Sequence, residues 1–184
     1  MKTLLLAALF STFLFNTPTI YELKTNSIEE GKQINFSDYK GKKILIVNTA
    51  CKSPYTFQIE AMQQLYSAYR EKLVVIAFPA GNDFGDQELK TNKQIQAFFR
   101  DSYGATFPIT EQTTVKGTNC HPVFQYLIEE AKKMAVTEPV KWNFTKFLLD
   151  ENGQLIKVFP ADISPLSPDI TSLLNNTKQP WSLD

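Results

Sequence analysis

The sequence predicts an α/β fold: a central mixed sheet with parallel strands and a C-terminal antiparallel hairpin, covered by helices on both faces. Three observations carry that expectation. Within residues 43–50, Ile44, Leu45, Ile46 and Val47 form a continuous run rich in β-branched side chains, and residues 73–78 form a second, as suits strands buried on both faces. Between them Ile59, Met62, Leu65, Tyr66 and Tyr69 recur at helical spacing, so strand, helix and strand form a parallel pair with a right-handed crossover. Near the C-terminus two more segments, 142–149 and 155–159, flank Asp-Glu-Asn-Gly, a hairpin turn signal.

Taken in order, residues 1–18 read as an export signal, with Lys2 before an apolar stretch from Leu4 to Phe15 too short to span a bilayer. Residues 19–184 then form one domain. A short entry strand is expected over 20–24. Ser53 is placed as N-cap and Pro54 as first residue of the first helix. A polar loop over 80–88 leads to a second helix capped by Asn92 and carrying Ile95, Phe98 and Phe99. Residues 107–111 read as extended, Pro122 opens a third helix, and a last helix runs near 168–174. This order describes a thioredoxin-like sandwich.

Composition narrows the function. Lys plus Arg and Asp plus Glu are 19 each, so the formal net charge is zero and nothing points to nucleic acid. The two cysteines, Cys51 and Cys120, make no CxxC motif, and with a single histidine, His121, they make neither a metal site nor a cofactor cradle.

Four segments carry a resemblance. They are Lys-Gly-Lys-Lys-Ile-Leu-Ile-Val-Asn-Thr-Ala at 40–50, Phe-Pro-Ala-Gly-Asn-Asp-Phe-Gly-Asp-Gln-Glu at 78–88, Asn-Cys-His-Pro at 119–122, and Lys-Trp-Asn-Phe-Thr-Lys-Phe-Leu at 141–148. In this order they resemble the glutathione peroxidases over about residues 20–175. The resemblance implies reduction of hydrogen or lipid hydroperoxides by a thiol, in defence against oxidative stress. It implies a site in which Gln87, Trp142 and Asn143 surround a reactive cysteine or selenocysteine. That nucleophile belongs in a Lys-Cys-Gly-x-Thr context, which here reads Lys52-Ser-Pro-Tyr-Thr. Ser53 therefore stands at the peroxidatic position.

A serine hydroxyl ionises far above physiological pH and has no equivalent of the sulfenic acid through which a thiol cycles. Cys51, two residues upstream and about 6–7 Å away in an extended segment, has three readings: a buried packing residue, a displaced peroxidatic thiol, or half of a disulfide with Cys120. Cys120 reads first as packing and His121 as a helix-entry hydrogen-bonding group. Asp83 stands where the family more often has glutamine. The second helix offers Phe98 and Phe99 where thioredoxin-dependent members carry a resolving cysteine. The short stretch between Pro122 and Trp142 resembles monomeric members, which implies a monomer served by a thioredoxin-like reductant rather than glutathione. Two functions from different classes are thus expected: a thiol peroxidase with Cys51 as substitute nucleophile, or an inactive member that binds a partner in the old cleft.

Overall fold

In the computed structural model, which describes residues 19–175, the chain opens with a small antiparallel ladder of β1 (Lys24–Asn26) and β2 (Gln33–Asn35). The entry strand expected over 20–24 is instead a 3-10 turn, Ile20–Glu22, with the strand starting at Lys24. The turn is useful where it lies, because it buries Ile20 completely. It also leaves little room beside Gly153, where an added Cβ would sit 2.5 Å from Ile20 and 2.9 Å from Tyr21. Gly153 combines that crowding with φ +78°, so glycine meets both demands of the hairpin turn.

The main sheet runs in the order β4-β3-β5-β6. Strands β3 (Lys43–Thr49) and β4 (Leu73–Pro79) pair in parallel, with Leu45 opposite Val75 and Val47 opposite Ala77. Helix α1 (Gln58–Tyr69) makes the crossover. Strand β5 (Lys146–Leu149) is antiparallel to β3, and β6 (Leu155–Phe159) returns antiparallel to β5.

Side chains alternate across the sheet, so each strand feeds two cores. Leu45, Val47, Val75 and Ala77 join Ile59, Met62 and Leu65 of α1, Ile95 of α2 (Asn92–Ala97), and Ile170 and Leu174 of α4 (Pro168–Asn175). Ile44, Ile46, Val74, Ile76 and Phe78 join Val123, Phe124 and Leu127 of α3 (Pro122–Lys133). Each fully buried aliphatic or aromatic side chain contributes roughly 1.5–3 kcal/mol of transfer free energy, which is why the central positions of both strands are apolar on each face.

Three local expectations are corrected. Helix α1 begins at Gln58, not at Ser53, and its N-cap is Phe57 without a side-chain cap. Competing bonds explain this: the Thr56 hydroxyl lies within reach of the carbonyls of Ala50, Cys51 and Ser53, at 3.1, 3.4 and 2.5 Å. The chain from 50 to 57 therefore folds as successive turns. The cap of α2 is Thr91, whose Oγ1 accepts from Gln94 N–H at 3.2 Å, while Asn92 Oδ1 accepts from Gln112 N–H. That helix continues as a π turn over Phe98–Ser102. Residues 107–111 are extended as expected, lying along β4 through the Ala77–Ile109 bridge, with a second bridge from Thr110 to Ser27. Finally, the strand expected from Trp142 begins only at Lys146, because Phe144 adopts φ +65° and turns the chain.

Candidate functional site

The C-terminal ends of β3 and β4 and the entry into β5 lie at the same edge of the sheet, since β5 runs opposite to β3. There Asn48, a buried residue that sequence reasoning passed over, holds the 142–145 turn. Its Nδ2 donates to Trp142 O at 3.2 Å, its carbonyl accepts from Phe144 N–H at 2.6 Å, and its N–H donates to Thr145 O at 3.3 Å. The turn is closed by the Thr145 hydroxyl, which donates to Trp142 O at 2.9 Å. An asparagine inside an otherwise apolar strand was the available signal, because a buried amide must find partners.

Gln87 and Asn143 are brought together. Asn143 Nδ2 donates to Gln87 Oε1 at 2.7 Å, and Asn143 is fully buried. Lys52 N–H donates to Gln87 O at 2.9 Å, which ties the same residue to the segment of Cys51 and Ser53. The Asn143 Oδ1 is buried without a protein partner among the described residues. Trp142 is half-exposed, its indole against the Phe84 ring with centroids 5.3 Å apart, and the Lys116 ammonium lies 4.8 Å over the centre of that ring. A cavity of about 400 Å³ opens beside Trp142, lined by Val136, Pro139, Val158, Pro160 and Ala161 among others.

Gly81 sets how closely the loop over 80–88 can fold back. A Cβ there would lie 2.7 Å from the Gln87 carbonyl carbon and 2.8 Å from Glu88 N. Gly81→Ala is expected to cost about 1–3 kcal/mol through overpacking against rigid backbone and to displace Gln87 from Asn143. Thermal unfolding of the variant, with amide NMR shifts at Gln87 and Asn143, checks both; an unchanged melting curve would show that the loop yields freely.

Ser53 is buried, and its Oγ accepts from Tyr55 N–H at 3.3 Å. Among the described residues no basic side chain is hydrogen-bonded to it, so nothing activates the hydroxyl. Cys51 lies in the core on the α1 side of the sheet, near the Glu88 carboxylate that accepts from its N–H at 3.1 Å. Burial pushes the Cys51 thiol up, the Glu88 carboxylate pushes it further, and Lys52 opposes them weakly. Cys51 is thus held as a neutral thiol.

Cys120 is also a free, buried thiol raised by burial, but it belongs to the core on the opposite face of the sheet. The disulfide reading for Cys51 and Cys120 is therefore corrected: the two sulfurs are segregated by the sheet itself. His121 is the cap of α3, with Nδ1 accepting from Val123 N–H at 3.2 Å and its ring against Phe78; burial holds its pKa down. Asp83 Oδ2 accepts from Val115 N–H, fastening the loop rim. Among the described residues no group of three His, Cys, Asp or Glu side chains is placed to hold a metal.

The glutathione peroxidase family model matches residues 20–128. The chain belongs to the glutathione peroxidase family. It is 40% identical over 159 residues to the glutathione peroxidase homolog BsaA of Bacillus subtilis, covering 85% of this chain and 98% of that protein. It is 40% identical over 161 residues to the glutathione peroxidase-like peroxiredoxin GPX5 of Chlamydomonas reinhardtii, covering 86% and 98%. Among solved structures it superimposes on T. cruzi GPX1 with TM-score 0.65 and 29% identity, covering 86% of this chain and 97% of that one. The thioredoxin-like sandwich is thus the fold of the family, and peroxidase function is what its relatives support.

Proposed function

We propose that this chain is a thiol-dependent hydroperoxide reductase that holds peroxide beside Gln87, Trp142 and Asn143 and takes its electrons from Cys51. The observation that supports this reading is the Asn143–Gln87 hydrogen bond, fixed to the end of β3 through Lys52 N–H. It keeps amide groups at the edge where Cys51 and Ser53 lie. Ser53, at the peroxidatic position, contributes a polar wall rather than a nucleophile.

The reaction balances as two-electron oxidation of sulfur. Cys51 attacks the distal oxygen, the O–O bond breaks, water or an alcohol leaves with the thiol proton, and Cys51 becomes a sulfenic acid. A reductant thiol condenses with it to give a mixed disulfide and water, and a second thiol returns Cys51. The peroxiredoxin character of its algal relative supports a thioredoxin-like dithiol in that role, and a monomer suffices for it. The apolar leader over residues 1–18 supports export to the periplasm or beyond; it lies outside the described residues.

The raised Cys51 thiol gives this reading its sharpest test. Only the thiolate attacks peroxide efficiently, and the Cys51 pKa lies above the ordinary thiol value. The logarithm of the oxidation rate is therefore expected to climb by about one per pH unit from pH 6 to 9 without a plateau. Stopped-flow peroxide consumption measures this, with sulfenic-acid trapping to locate the oxidised residue. Turnover that survives Cys51→Ser would exclude Cys51 as the electron source. The second reading, an inactive member binding a partner in the cleft, is favoured by the burial of Cys51, and absence of turnover at every pH would select it.

A further inference from the structure

Glu88 is a buried carboxylate that the chemistry above does not use. It is 1% exposed, and among the described residues no Lys or Arg forms an ion pair with it. Its Oε1 accepts from the N–H groups of Cys51 at 3.1 Å and Leu89 at 3.0 Å, while Oε2 lies 3.4 Å from Gly81 N. Three backbone donors from three places thus converge on one side chain: the end of β3, the turn after β4, and the segment that carries Gln87. Lys52, the base next to Cys51 in sequence, pairs instead with Asp86 at 3.3 Å.

We propose that the Glu88 carboxylate keeps Cys51 in its thiol form and so limits how fast peroxide can oxidise it. The argument is electrostatic. Backbone N–H donors stabilise the ionised form of a carboxylate. An anion on the sulfur of Cys51, the residue whose own N–H lies 3.1 Å from Glu88 Oε1, would then be a like charge in a site with little water to screen it. Two such groups resist ionising together. The groups facing Cys51 are Glu88, which raises its pKa, and Lys52, which lowers it only weakly because it is solvent-exposed and paired with Asp86. Glu88 is therefore a positioning residue with a second role: its hydrogen bonds hold the Gln87 segment, and its charge suppresses the Cys51 thiolate. This deepens the reading of Cys51 as electron source, yet its readout does not need turnover.

The experiment compares Cys120→Ser with Cys120→Ser/Glu88→Gln, so that one cysteine remains in each. Thiolate absorbance against pH is recorded first, then the rate of oxidation by hydrogen peroxide at pH 7. Glutamine keeps the shape and one acceptor while removing the charge. The titration is expected to move to lower pH by at least one unit, with about tenfold faster oxidation of Cys51 at pH 7. Overlapping titration curves would overturn the proposal and leave Glu88 a purely structural tie. If neither protein is oxidised by peroxide but the titrations differ, the hydroperoxide reductase reading fails and the role of Glu88 stands. Should Glu88→Gln fail to fold, the infrared S–H band of Cys51 in Cys120→Ser decides the matter. A band at lower frequency than that of a free thiol supports the thiol–carboxylate contact, and one at the free frequency rules it out.

Discussion

Ser53→Cys is expected to raise peroxide turnover of this chain by about 100-fold or more, the scale on which an activated nucleophile among oriented donors acts. The site is set for sulfur in one specific respect. The Ser53 Oγ already accepts from Tyr55 N–H at 3.3 Å, and the same N–H would donate to a thiolate and lower its pKa. Position 53 also follows Lys52, whose N–H binds Gln87 O at 2.9 Å, so the backbone that would carry the sulfur is already tied to the segment of Gln87. Stabilisation would come from turn N–H groups and not from the start of α1, which lies five residues on at Gln58. Peroxide consumption with excess dithiol measures the gain at pH 7. A folded variant with no gain would mean that Gln87, Trp142 and Asn143 are retained for packing.

The sequence made the sheet legible and left much of the site hidden, for reasons that differ by residue. Strands β3 and β4 were readable because both are buried on each face, so the apolar runs at 44–47 and 73–78 mark them, while the polar ends of β3 carry no such mark. The start of α1 was misplaced because Ser53-Pro54 has the right local chemistry for a helix entry, while the Thr56 hydroxyl donates back to Ser53 O at 2.5 Å, a bond that no capping preference anticipates. Trp142 and Asn143 were identified as site residues by resemblance, but their turn was not foreseen. It depends on Asn48, 94 residues earlier in the chain. Glu88 stayed hidden for another reason: charged side chains are normally read as solvent-facing, and the burial of this one is decided by backbone donors from three segments.

Lys146 is a fully buried charged residue of the sheet, and its removal is expected to produce the largest loss of stability. It is fully buried, and its Nζ donates to Phe144 O at 2.7 Å and Ala161 O at 3.1 Å, with Pro160 O at 3.5 Å. Ala161 O also accepts from Gln58 Nε2 at 2.7 Å, so one carbonyl joins Lys146 to the first residue of α1. Lys146→Ala leaves a cavity and deprives these carbonyls of their donor, at a cost of about 3–5 kcal/mol. Lys146→Met keeps the packing of the stem and loses only the bonds, costing about 1–3 kcal/mol. Burial holds the Lys146 pKa down to about 7, against an ordinary 10.5, with Asp162 opposing the shift. The unfolded chain therefore binds more protons than the folded one between those values, and stability rises with pH across that window. Below pH 7 both states carry the proton and this contribution is level. Urea unfolding at pH 6, 8 and 9.5 measures the slope, which Lys146→Met should abolish; the same slope in both proteins would assign it to other groups. The Trp-Asn-Phe-Thr-Lys run is then a single device, in which the buried ammonium of its last residue anchors the carbonyl of Phe144 and with it the turn that presents Trp142 and Asn143.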